Sequence, residues 1–106
     1  MDRCDIECNT WHDILIRKGF DTNLSKSLIG FISWNKGEEF KKLGKEITEV
    51  LSGYEGKVFV KDVASTKLND KGLLFFNKDI PEDISNNIFD AIMDYEQNEV
   101  YNTLTH

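Results

Sequence analysis

Cysteine is scarce: Cys4 and Cys8 are the only two, four residues apart, which excludes the disulfide framework of a small secreted domain and leaves free thiols as the expectation. No stretch approaches the roughly 20 consecutive apolar residues that span a bilayer. The start, Met1-Asp2-Arg3-Cys4-Asp5, has neither the basic opening nor the apolar run of a signal peptide. A cytoplasmic protein is expected, in which the sequon Asn23-Leu24-Ser25 carries no glycan. Gly37, Gly44, Gly53, Gly56 and Gly72 fit neither the Walker nor the dinucleotide-binding pattern. Repeats, low-complexity tracts and linkers are missing too. A Cys–His nucleophilic pair would need an orienting group and an oxyanion site, and the sequence offers neither. These absences argue against an enzyme, and no cofactor is expected.

What is present suffices for one folded unit. The chain has 106 residues, 40% hydrophobic, with seven Phe, three Tyr and two Trp, so one core can form despite 30% charged residues. The expectation is a single domain over 1–106, with frayed ends at 1–7 and 102–106.

Asn9 or Thr10 can cap a short helix from Trp11 to Lys18, which Gly19 ends. In Asp21–Trp34, Leu24, Leu28, Phe31 and Ile32 fall at helical spacing behind a capping cluster, which favours a helix. Residues 28–34 also suit a buried third strand. Glu38–Ser52 reads as an amphipathic helix with Phe40, Leu43, Ile47, Val50 and Leu51 on one side, broken by Gly53–Gly56. Lys57–Ala64 and Leu73–Phe76 read as strands of a hairpin joined through Leu68–Gly72, with Phe75 and Phe76 directed to opposite faces. A last helix opens at Asp79-Ile80-Pro81-Glu82 and reaches about Glu96. The fold class expected is α+β: helices in the order α-α-α-β-β-α, packed on a short antiparallel sheet built around a β-hairpin.

The charge is unevenly placed. Acids and bases balance through Phe76, whereas from Asn77 onward Asp79, Glu82, Asp83, Asp90, Asp94, Glu96 and Glu99 face one base, Lys78. The net charge of −6 thus belongs to the last 30 residues. Such asymmetry disfavours direct contact with nucleic acid or a membrane surface and favours a basic partner. With Ile84, Ile88, Ala91, Ile92 and Tyr95 turned to the core, Asp83, Asn87, Asp90, Asp94 and Asn98 fall on the far face of the last helix. Short acids without a Lys or Arg four residues away repel one another and form helix poorly, a conflict expected at a functional surface. Asp79, Asp83, Asn87, Asp90, Asp94 and Asn98 are the candidate partner-binding residues. A solvated face is the plainer alternative. Replacing Asp83, Asp90 and Asp94 by Lys should abolish binding and leave the fold intact.

Cys4, Cys8 and His12 follow an i, i+4, i+8 spacing, but a structural zinc site wants four ligands and the helix start at Asn9-Thr10 interrupts the series. No metal site is expected. Trp11 and Trp34 suit a core better than an exposed interface. The leading functional expectation is an inhibitor of the immunity or antitoxin kind, occluding a basic toxin such as a nuclease. The alternatives are a phage-encoded DNA mimic that blocks a nucleic-acid-targeting defence complex, and a small zinc module or enzyme using Cys4, Cys8 and His12. No residue motif marks a family.

Overall fold

The computed structural model describes residues 11–35 and 41–100, with side chains for all of these except 35, 41, 42 and 98–100. Cys4, Cys8, Phe40 and the ends expected to fray lie outside the described residues.

Helix α1 (Trp11–Arg17) ends as its glycine predicts. Gly19 adopts φ 100°, so its N–H reaches the carbonyl of Ile16 while that of Phe20 reaches Leu15, the paired bonds of a Schellman cap. Phe20 is thereby turned back onto the core beside Leu15. Asp21 then caps α2 (Thr22–Lys26), its carboxylate accepting from the N–H groups of Asn23 and Leu24.

The capping cluster at residue 21 therefore does start a helix, but one of five residues. Leu28–Asn35 is β1, which corrects the helix preferred over Asp21–Trp34 and realises the alternative third strand. The reason is tertiary: β1 pairs antiparallel along its length with β3 (Asp70–Phe76), more than thirty residues later. Local periodicity carries no information about that ladder. Both faces of β1 are covered, Leu28 and Phe31 on one and Ile32 and Trp34 on the other, so apolar residues fall on both sides of the strand instead of on one.

Helix α2 leads into β1, and α3 (Lys41–Leu51) follows it, packed across β1 through Leu43, Ile47, Val50 and Leu51. Gly53, at φ 80°, follows the end of α3. The hairpin is β2 (Phe59–Ala64) and β3, in register from Phe59 opposite Phe76 to Ala64 opposite Lys71. The strand β3 begins at Asp70, so the connecting loop is Ser65–Asn69 and not the expected Leu68–Gly72. In the loop the Ser65 hydroxyl accepts from the N–H groups of Lys67 and Leu68.

The sheet order is β1-β3-β2, with β3 in the centre. Leu74 and Phe76 belong to one core and Leu73 and Phe75 to the other, so the two rings do point to opposite faces. Helix α3 covers one face over β1, while α4 (Glu82–Asp94) packs on the other over β2 and β3, flanked by α1. Beyond α4 the chain continues as a π-helical turn, Tyr95–Val100. The element order is α-α-β-α-β-β-α, within the α+β class expected.

The buried face of α4 consists of Ser85, Ile88, Phe89, Ile92 and Met93. It is rotated towards Phe89 from the stripe centred on Ile84, by rather less than the ~100° step of one residue. Ile84, Ala91 and Tyr95 are consequently half-buried. Space for Phe89 comes from Gly72: a β-carbon there would fall 2.6 Å from the Phe89 ring and from the Ile32 carbonyl oxygen. Trp11 meets Phe31 and Tyr95 edge-on at 4.9 and 5.6 Å, and Trp34 packs against the second core, so both tryptophans are chiefly packing groups.

Candidate functional site

Helix α4 has the sequence Glu-Asp-Ile-Ser-Asn-Asn-Ile-Phe-Asp-Ala-Ile-Met-Asp, and its outward positions carry the acids. Glu82 and Asp83 stand in its first turn, where negative charge meets the partial positive charge of the free N–H groups. No side chain caps the helix; the residue before it, Pro81, accepts from the Ser85 N–H and hydroxyl through its carbonyl.

The structure separates the six candidate residues. Asp79, just before the helix, receives Lys61 Nζ at 2.7 Å, and the hydrogen bond and charge of Lys61 hold its carboxyl below the ordinary value. Asp94 receives Lys18 Nζ at 3.0 Å. Asp90 is engaged differently, accepting the Thr66 N–H on one oxygen and the Thr66 hydroxyl on the other, both at 3.0 Å. Asp83 and Asn87 are exposed and make no ion pair or side-chain hydrogen bond with a described residue. Asn98 lies outside the residues whose side chains are described.

An acidic stripe without internal counter-ions is therefore not what the fold contains: two of its carboxylates are neutralised by the chain's own lysines. The partners sit 18 and 76 residues away in sequence, beyond the i, i+4 neighbours that a helix reading inspects. The triple substitution of Asp83, Asp90 and Asp94 by Lys would break the Lys18 pair and detach Thr66, so it should perturb the structure as well as the surface.

What survives is narrower. Glu82, Asp83 and Asp90 form no ion pair with a described lysine or arginine, and with Asn86 and Asn87 they make a polar face at i, i+1, i+4, i+5 and i+8. Glu82 and Asn86 were missed by the sequence reading, although their spacing to Asp90 is the same helical repeat that selected Asp83 and Asn87. They also border a cavity of about 420 Å³ shared with Asp62, Val63 and Ala64 of β2 and Lys71 of β3. A second cavity, about 290 Å³, lies between the Ser65–Leu68 loop and the Asp90–Asp94 side of α4, with Leu68 and Met93 in its lining.

Elsewhere titratable groups are sparse in the interior. Glu96 is half-buried in the π-helical turn, and burial, reinforced by the charge of Asp70, raises its carboxyl above the ordinary value. His12 is half-buried with Nε2 3.9 Å from an Asp13 oxygen. The Cys4, Cys8 and His12 set cannot be assembled here, because both thiols lie outside the described residues. Among the described residues no three His, Cys, Asp or Glu side chains come together as metal ligands. None of the described helices is long and apolar enough to cross a membrane. No family model, curated protein or solved structure matches the chain.

Proposed function

We propose that this chain works by binding a basic protein, as an inhibitor of the immunity or antitoxin type whose target is a toxin, with a basic-site nuclease the leading candidate. The observation that supports this is the group Glu82, Asp83 and Asp90 on the outer side of α4, three carboxylates without a described cationic partner. Separation by Asn86 and Asn87 leaves short amide groups there instead of lysines, so the face offers acceptors and charge to an incoming surface. A face of one sign accelerates encounter with a surface of the other and fixes orientation more than it adds affinity. The same face repels polyanions, which is why the partner, and not nucleic acid, is taken as the ligand. A nuclease site is basic because its substrate is polyanionic, and a protein seated there excludes that substrate.

The test is affinity capture from nuclease-treated host extract with the wild type and with Glu82→Gln/Asp83→Asn, two exposed positions outside the internal contacts. The wild type should retain a basic protein whose nucleic-acid cleavage stops at equimolar inhibitor. The double variant should retain much less of it, and added salt should weaken the wild-type complex by screening. Retention of the same proteins by both forms, or of acidic proteins alone, would overturn the reading.

A further inference from the structure

The outer side of α4 does not end with the group Glu82, Asp83 and Asp90. At about 100° per residue, Met93 falls between Glu82 and Asp90 around the axis and Asp94 between Asp83 and Asn87, so the last turn continues the same face. Beside that stretch stands the hairpin loop Ser65–Asn69, tied to the helix by the Thr66 N–H and hydroxyl on the Asp90 carboxylate. Between loop and helix lies the cavity of about 290 Å³.

The lining of this cavity divides by chemistry. Leu68 and Met93, which pack into the core beneath α4, make its apolar wall, and Lys67, Asp90, Asp94 and Gln97 stand at its polar rim. The rim carries no net charge: Asp94 holds Lys18 at 3.0 Å, and Lys67, which forms no ion pair with a described residue, balances Asp90. An ionised guest would lose hydration there without a net attraction to offset the loss, so the cavity suits an uncharged one. A ring has room, since a cavity of about 150 Å³ accommodates benzene. The Met93 thioether is a favourable neighbour for an aromatic face or edge, and the exposed Gln97 amide can meet a polar ring atom.

We infer that the basic partner anchors itself by seating an aromatic side chain with a polar edge, a tyrosine or a tryptophan, in the cavity between the Ser65–Leu68 loop and α4, while its cations meet Glu82 and Asp83. The inference rests on the basic-partner reading and separates two roles within it. The carboxylates speed encounter and fix orientation, and the buried ring supplies the affinity.

The probe is p-cresol, the tyrosine side chain as a free molecule, titrated into the intact chain carrying ¹³C-labelled methionine methyls, beside 4-methylbenzoate and 4-methylbenzylammonium. p-Cresol should shift the Met93 methyl along a saturable curve in the millimolar range, and both charged analogues should bind about tenfold more weakly or worse. Glu82→Gln/Asp83→Asn should leave this binding unchanged, because neither residue lines the cavity. Added to the affinity capture at about ten times its dissociation constant, p-cresol should lower the apparent affinity for the retained basic protein about tenfold. Absence of a saturable shift at Met93, or equal binding of either charged analogue, would overturn the aromatic site while leaving the basic-partner reading standing. Undiminished capture of the basic protein in saturating p-cresol would overturn the seating of the partner's ring, again without touching that reading. Capture of no basic protein, with p-cresol still bound, would overturn the reading and the assignment of the ring to a partner with it.

Discussion

At single positions the fold is most exacting where backbone and ring approach closely. Gly72 faces both the Phe89 ring and the Ile32 carbonyl, and a carbonyl in a paired strand cannot withdraw as a flexible side chain can. Gly72→Ala should therefore cost about 1–3 kcal/mol, read as a lower urea midpoint, and adding Phe89→Leu should recover only part of it. Ser25 presents the opposite case. Its hydroxyl is buried, and among the described residues it has no hydrogen-bond partner. Ser25→Ala should raise stability by about 1 kcal/mol in the same assay, because an unsatisfied buried donor carries a desolvation cost that alanine removes. Neither residue stands out in the sequence. The sequence places Gly72 in the connecting segment Leu68–Gly72, and its role becomes visible only once Phe89 is known to press on β3.

Elements show where a sequence is informative and where it is silent. The short first helix, the hairpin and the last helix each carry their own signals, in Gly19, in the apolar run Leu73–Phe76 and in Asp79-Ile80-Pro81-Glu82. The segment Leu28–Trp34 does not, since its strand character depends on β3. The acidic helix combines both situations: its charges can be counted from the sequence, yet Lys61, Lys18 and Thr66 approach from other elements. Of these contacts the Thr66–Asp90 pair ties the hairpin loop to α4. Asp90→Ala should free the Thr66 amide for faster hydrogen exchange and cost about 1–2 kcal/mol, whereas removing the exposed Lys18–Asp94 pair should cost roughly 1 kcal/mol or less.

For the molecule as a whole, two carboxylates pull the pH dependence of stability in opposite directions. The Asp79 carboxyl is held low by Lys61, so its stabilising contribution is present above the ordinary carboxylate range and disappears as pH falls through the lowered value. Full exposure keeps that contribution small. Glu96 is raised by burial and by Asp70, so its ionised form opposes folding above the raised value and protonation relieves this as pH falls. Glu96→Gln should accordingly raise the urea midpoint near pH 7, with the advantage over wild type shrinking as pH falls through the raised value. An advantage independent of pH would exclude burial of the charge as its origin.

The central place of β3 bears on the order of assembly. The β2–β3 hairpin closes from neighbouring residues, whereas β1 meets its partner only across more than thirty intervening residues, so closing that long loop is the entropically costly step and should follow the hairpin.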